Sequence, residues 1–515
     1  MNKTCFVISI IVLSILVCGC LQPSKPEGAS KEAALDAIEL ATTEIAAAEG
    51  KGNDATAANG KLSDAKSAFD NEDYSSALAL AEEAKNLAKS SKSTETKPAS
   101  SKPGTITGPY PPPDANVTNA GNVSWSPDIV ISTSESGSIH KSFCNANSIA
   151  VGQNGAVHAV WYVIRDGNDE IHYRRSLDDG ITWEADEVLS IGPNFIGDVT
   201  LTTTSGHEFT VGSNGGATPA LAVSESNVYV VWRSDLHSSR GSDSKQTNGE
   251  IYFKRSTNSG ASWGSDIRLT NASGDSTSSS ISAFGNNVYV VWVDARDGDG
   301  DIYFKRSEDY GATWSKDMRL TKSAGLRGQP TVSASGSTLL VFWMDNRDGN
   351  WEIYHMRSTD DGETWSDDIR FSFDEGVSEV PVVAFSGNSA HVAWPDSRTS
   401  GPEEHYIDAY EIYYRRSTDG GASWSDETRL TNAPKWSADP SIAVLGSYVH
   451  VVWPERRDMN GSGREDDRDI YYKYSTNEGA SWTSDFRLTN AIGESGIPSI
   501  ALSNSTIHII WEDSR

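Results

Sequence analysis

The chain is 515 residues long, with 43 Lys and Arg against 71 Asp and Glu and a formal net charge of -28. That length suits two or three domains, and the acidic balance excludes a nucleic-acid face, which needs clustered basic residues against phosphate. With 44 Gly and 16 Trp against 5 Met, the composition leans to an all-β chain rich in tight turns. Three of the 4 Cys lie within the first 20 residues, so no disulfide framework holds the remainder.

Residues 1–19 read as a signal peptide. Lys3 precedes an apolar run, Cys5–Val17, too short to span a bilayer comfortably. The ending Val17-Cys18-Gly19-Cys20 resembles a lipobox, which implies that Cys20 carries lipid and anchors the protein to the outer face of the cell membrane; an ordinary signal peptide cut nearby is the alternative. Residues 20–29 form an anchor stalk. Cys144, the one thiol far from the start, reads as a small buried residue.

Residues 30–90 predict a small helical domain. Apolar residues recur at helical spacing: Ile38, Ala41, Ile45 and Ala48, then Leu62, Ala65 and Phe69, then Leu80, Ala84 and Leu87. Asp73 is the expected N-cap of the last helix. The stretch Ala68–Ala77 resembles half of a tetratricopeptide-type helix pair, and so Ala-rich a segment buries little area, as a spacer or docking unit would. Residues 91–123, with Pro111-Pro112-Pro113, predict a solvated linker, partly polyproline II.

From 124 to 515 the chain repeats one unit. Its signature is Ser-x-Asp/Asn-x-Gly-x-x-Trp, found at Ser176–Trp183, Ser256–Trp263, Ser307–Trp314, Ser358–Trp365, Ser417–Trp424 and Ser475–Trp482. The tryptophans stand 51 to 80 residues apart, the period of propeller arrays. An alternating strand ending in Trp (Val288–Trp292), a second strand entering the signature (Ile302–Ser307) and a closing Arg319-Leu320-Thr321 recur around each copy. Each unit therefore predicts four short strands, A to D, with the signature at the C–D hairpin. Asp178, Asn258, Asp309, Asp360, Asp419 and Asn477 would bond amides of their own turn, the Gly supplies a left-handed residue, and the Trp packs between layers.

The signature resembles the Asp-box, or BNR repeat, of sialidase-like β-propellers. The resemblance implies a ring of four-stranded blades, with the boxes structural and on the rim opposite the ligand site. Trp-ended B strands occur seven times, at Trp161, Trp232, Trp292, Trp343, Trp394, Trp453 and Trp511, whereas complete units occur six times. Val123–Ser132 resembles an outermost D strand, so a seventh blade shared between the two ends of the sequence is favoured over the six blades of sialidases.

B strands end in Trp-x-Asp-x-Arg at Trp292/Asp294/Arg296, Trp343/Asp345/Arg347, Trp394/Asp396/Arg398 and Trp511/Asp513/Arg515, with Glu455 and Arg457 in blade six. By the resemblance these charges ring the ligand face, and a sialidase would use three arginines to clamp a carboxylate. Arg347, Arg398 and Arg457 are the candidates. Repetition of the pair in blade after blade instead suits ion pairs that hold loops, and the Arg-Ile-Pro element of sialidases is missing.

Asymmetry points to the long B–C loops, Arg233–Gly249, Pro395–Tyr410 and Pro454–Asp469, and to the insertion Leu189–Ala217 on the same face. Within Pro395–Tyr410, His405 and Asp408 are ligand-binding candidates, and Tyr406 with Glu404 is the candidate nucleophile pair. In blade six, Asp458, Asn460, Ser462, Asp466 and Asp469 have the spacing of a Ca2+ loop, with Gly463 at the turn; Asp297–Asp301 is a poorer match. The expectation is a surface-anchored propeller that recognises a glycan or surface ligand, with a sialidase-type exo-glycosidase as the alternative and a purely structural surface protein as a third.

Overall fold

The computed structural model describes parts of the stretch 31–90 and most of 125–513, leaving out 133–137, 141–146, 167, 194–199, 203–207, 211–216, 236–247, 299, 399–409, 434–435, 457–467, 491–493 and 504–505. The chain divides into two compact units, Met1–Val117 and Thr118–Arg515.

In the first unit, helices Thr56–Asp70 and Tyr74–Ser90 pack on helical residues between 31 and 45. The contact is mostly alanine, with Ala41, Ala65, Ala81 and Ala84 fully buried around Ile38, Ile45 and Leu62. Asp73 caps the last helix: the Ser76 amide donates to its carboxylate at 3.1 Å.

The second unit is a β-propeller of antiparallel sheets. Blade three shows the pattern: A is Ser276–Phe284, B Asn287–Asp294, C Asp301–Ser307 and D Met318–Arg319. Blades two, four, five and six repeat it in the same order. Blade one departs, because its inner strand comes in two pieces. Ser138–His140 and Ile149–Val151 pair with opposite ends of Val157–Arg165. Within the insertion 189–217, Thr200–Thr202 and Glu208–Thr210 form a separate two-stranded sheet.

B strands are apolar on both faces because each blade is sandwiched between two others. Trp292, Trp343, Trp394 and Trp453 are 0% exposed; Trp292, Trp343 and Trp453 stack on the Tyr opposite in strand C, as Trp292 does on Tyr303 at 5.8 Å, and Trp394 lies tilted over Tyr413. The two-residue D strands are held by charge. Arg319 and Thr321 bond Asp301, the first residue of strand C, at 2.6 and 2.9 Å.

The repeated C–D turn is a closed hydrogen-bond cycle. In blade three, Ser307 Oγ donates to Asp309 at 2.8 Å, and the Gly311 and Thr313 amides donate back to Ser307 Oγ and Asp309, each at 2.8 Å. The turn also joins blades. Trp365 of blade four meets Phe304 of blade three edge-on at 5.1 Å, and Arg306 donates to the Asp361 carbonyl at 2.8 Å. Gly362 has φ +82°, and a Cβ there would sit 2.5 Å from the Phe304 ring, so both backbone and packing require glycine.

Blade seven has strands Ser495–Leu502 and Ile507–Asp513, and its inner strand lies against Ile149–Val151 of blade one. The ring closes by the device used between blades three and four. There, Asn287 and Tyr289 donate to Asp361 at 3.0 and 2.7 Å; here, Thr506 and His508 bond Asp179 of blade one, His508 at 2.9 Å. Seven blades are therefore present among the described residues. Of the expected D strand Val123–Ser132, residues 125–132 are described; Ile131 packs in one cluster with Ile510 of blade seven, and no ladder with Ile507–Asp513 forms among the described residues.

Candidate functional site

Strand order puts the start of A, the end of B and the start of C on one rim, opposite the repeated turns. Inner strands surround the axis, so this rim is the mouth of the ring.

The Trp-x-Asp-x-Arg groups of blades three, four and five lie at this rim and are occupied. Asp294 accepts from Trp292 Nε1 at 2.8 Å, Ser276 Oγ at 3.0 Å, and Arg296 Nε and Nη2 at 2.7 and 2.6 Å. Arg296 Nη1 takes Asp317 at 2.7 Å, and its plane covers Tyr303 at 4.4 Å. Arg347 bonds Asp345 at 2.6 Å and Asp368, over Tyr354 at 4.2 Å. Arg398 bonds Asp396 at 2.6 Å together with Glu427 and Asp374, over Tyr413 at 4.1 Å. The guanidinium groups of Arg347 and Arg398 are thus held by internal carboxylates. Arg457 lies outside the described residues.

Asp469 is also engaged within the blade. It opens strand C of blade six and is bonded by Arg487 at 2.6 Å and Thr489 at 3.1 Å, as Asp301 is by Arg319 and Thr321. Asp458, Asn460, Ser462 and Asp466 lie outside the described residues, as do Glu404, His405, Tyr406, Asp408, Cys144 and Cys20. Among the described residues no three His, Cys, Asp or Glu side chains group as metal ligands.

At the mouth, six inner strands share one distortion. Thr218, Ser278, Gln329, Val380, Asp439 and Ile497 have φ between 36° and 53°, and all but Ser278 precede proline. Pairing with strand B slips there, between Thr277 and Ser280 in blade three and between Gly328 and Thr331 in blade four. Positive φ is strained for β-branched residues such as Val380 and Ile497, and such strain gathers where the surrounding structure over-determines a conformation.

On this common frame only blades five and six carry acids. The bulge pairs read Ala217-Thr218, Thr277-Ser278, Gly328-Gln329, Glu379-Val380, Ala438-Asp439 and Gly496-Ile497. Tyr410 donates to Glu379 Oε2 at 3.3 Å, while its carbonyl accepts the Ser437 amide of blade six at 2.8 Å. Glu379 and Asp439 keep some exposure, yet protein replaces most of the water around them. Burial, with the nearby Asp439 charge, raises Glu379 to about 7 despite the Tyr410 bond. Burial raises Asp439 to about 6 against the pull of Arg468. Burial and the Glu379 charge push the Tyr410 phenol far up. Beside them, Arg456 and Arg468 each lie 5.7 Å from the Trp436 ring, and Arg468 pairs with Glu494 at 2.9 Å.

This cluster sits at the roots of Pro395–Tyr410 and Pro454–Asp469, the loops singled out by length. Loop length located the region but not the residues. Glu379 and Asp439 become visible when the inner strands are aligned on the Pro that five of the six carry, a signal that lies in the A strands and not in the B strands or loops.

No family model and no curated protein matches the sequence. Solved structures similar to the chain include a Trypanosoma rangeli sialidase in complex with 2,3-difluoro-KDN, at 14% identity and TM-score 0.40, covering 62% of this chain and 54% of that one. A Hadza microbial sialidase matches at 16% identity and TM-score 0.38, over 61% of this chain and 63% of its own. The NanB sialidase from Streptococcus pneumoniae matches at 13% identity and TM-score 0.37, over 73% and 67%. The match thus spans about half the length of the Trypanosoma rangeli enzyme.

Proposed function

We propose that the propeller recognises a glycan at the mouth of the ring, between blades five and six. The observation that carries this is the Tyr410–Glu379 pair beside Asp439 at the axis. A carboxyl near neutrality both donates and accepts, as sugar hydroxyls require, and the adjoining Trp436 and loop roots supply apolar and polar walls. Turnover of the sialidase type has less support, because Arg347 and Arg398, the arginines considered for a carboxylate clamp, are engaged by internal carboxylates. Exo-glycosidase action stays as the second reading, because a carboxyl raised to about 7 has the protonation of a general acid.

Glycan-array binding run beside fluorogenic glycosides, sialosides included, separates the two. For recognition, Glu379→Gln keeps most of the affinity, Glu379→Ala loses it, and wild-type affinity falls as pH rises past about 7. Hydrolysis abolished by Glu379→Gln would install the second reading, and unchanged binding by Glu379→Ala would remove the site altogether.

The same proposal includes the layout expected from sequence: signal 1–19, stalk 20–29, helical domain 30–90, linker 91–123 and propeller 124–515, held at the membrane surface through lipid on Cys20. Membrane fractionation of Cys20→Ser tests the anchor. The variant should leave the membrane pellet, and wild-type fractionation would refute lipidation.

A further inference from the structure

In blades two to six, strand D runs into a short loop on the mouth rim, and the residue after its closing Thr or Ser is exposed: Asn271, Lys322, Phe373, Asn432 and Asn490. Four of these are polar, as an exposed loop position should be. The fifth is a phenylalanine that is 64% exposed. A lone exposed apolar side chain needs no explanation by itself. Phe373 differs from such a residue in how firmly its backbone is held and in what lies beside it.

The loop is anchored on both sides of the ring. Before it, Phe371 and Ser372 are buried, Ser372 Oγ donates to Glu352 at 2.5 Å, and the Ser372 carbonyl accepts from Arg370 Nε at 2.7 Å. After it, Asp374 pairs with Arg398, the Gly376 carbonyl accepts from Asn350 at 2.7 Å, and the Val377 amide donates to Ser397 Oγ at 2.9 Å. A Cβ on Gly376 would lie 2.2 Å from the Arg398 amide nitrogen, so the loop is pressed onto the end of strand B. Arg370, 5.5 Å from the Phe373 ring centroid, is itself committed to Glu352 at 2.5 Å and Asp348 at 3.2 Å. Six residues after Phe373 stands Glu379. The neighbouring loop carries Trp436 three residues before Asp439. Among the five short loops, 271–275, 322–326, 373–377, 432–436 and 490–494, aromatic residues occur in these two and in no other, and these two lead to the inner strands that bear acids.

We propose that Phe373 is the floor of a second sugar subsite, outside the one at Glu379, and that it takes an uncharged unit, so that the ligand is an oligosaccharide of two or more units; this rests on the reading of the mouth as a glycan site. The C–H face of a pyranose carries slight positive charge and packs on the electron-rich face of an aromatic ring, with apolar area removed from water on both partners. A ring already held in place does so without the cost of ordering it. Six residues of chain reach at most about 20 Å, and the fold of the loop onto Arg398 shortens that span, which puts Phe373 and Glu379 on the scale of a short oligosaccharide. Charge decides the class of the sugar. Asp374 and Glu375 follow Phe373, and Glu379 ends the same loop. A carboxylate-bearing unit over Phe373 would therefore meet acids, with Arg370 already engaged by two others.

The probe is an array of uncharged mono- to tetrasaccharides, each also present with a terminal uronic or sialic acid, bound by the full chain. The tightest uncharged oligosaccharide is then titrated in solution beside its terminal monosaccharide. Phe373→Asn is the fold-compatible variant, because Asn holds this position in blades two, five and six, and Phe373→Trp keeps an aromatic face. Phe373→Asn should weaken the oligosaccharide about tenfold and the monosaccharide by less than about twofold, while Phe373→Trp keeps wild-type affinity for both. Uncharged glycans should bind more tightly than their acid-capped forms. Unchanged oligosaccharide affinity in Phe373→Asn, an equal loss on the monosaccharide, or tighter binding of acid-capped glycans would overturn the inference, with the glycan site left standing as long as Glu379→Ala abolishes binding. Binding that survives Glu379→Ala, or no binding by the wild type, would remove that site and the inference with it.

Discussion

The two rims of the ring obey opposite rules. On the rim of the repeated turns, the same Ser, Asp or Asn, Gly and Trp recur in six blades with nearly the same bonds, so each residue answers a need that every blade has: closing a turn and gripping the neighbour. On the mouth rim the frame also repeats, but blades five and six place Glu379 and Asp439 on it where the others carry Ala, Gly, Thr, Ser, Gln or Ile. Repetition marks what the fold requires. Departure from repetition, on a frame already strained and held, marks what a ligand could use.

The largest effect expected on either rim is at a repeated residue. Trp365→Ala should cost about 3–5 kcal/mol, the usual range for truncating a large packed aromatic, because its edge-on contact with Phe304 of blade three is lost. Chemical denaturation measures it, and an unchanged midpoint would break the assignment of the turn to interblade packing.

Acid tests the interior shared by both rims. Burial lowers His158, His355, His391 and His450 to about 4 from the ordinary 6.5, with nearby arginines adding to the effect in the first three. Between those values the unfolded chain takes up protons that the folded chain refuses, so stability falls as pH falls from 6.5 to 4. Each histidine contributes about 1.4 kcal/mol per pH unit across that window at most. Glu379 and Asp439, raised to about 7 and 6, oppose this, since the folded chain binds their protons more tightly. Glu187, Asp235, Glu352 and His172 are raised as well and act in the same direction, so the loss due to the four lowered histidines is read by comparing the wild type with a variant that lacks one of them. Hydrogen bonds within the turns hold Asp309, Asp360 and Asp419 near 2, so a further loss should follow below about pH 3.8. Melting temperature followed from pH 7 to 3 in the wild type and in His391→Phe checks this, and two profiles of the same slope between pH 6.5 and 4 would contradict the buried neutral histidine.

The smallest stability effect belongs to the singular site. Glu379→Gln should move stability by no more than about 1 kcal/mol, since the acid is already half neutral near pH 7 and the amide preserves its bonding. A loss as large as that of Trp365→Ala would place Glu379 among the structural residues and erase the contrast between the rims.

Much of this was legible in the residues alone. The period of the turns, the apolar B strands and the helical spacing of 30–90 identify the elements, because turn chemistry and hydrophobic periodicity act over a few residues. The asymmetric loops likewise located the region of the candidate site. Tertiary structure decided what depends on residues far apart. It engaged Arg347 and Arg398 with carboxylates of their own and neighbouring strands, and it joined Asp469 to Arg487. It brought Tyr410 to Glu379 across 31 residues of chain. It also set Trp125 against Tyr472, at opposite ends of the propeller sequence, because a ring must meet itself and only closure in three dimensions determines which segments lie at the join.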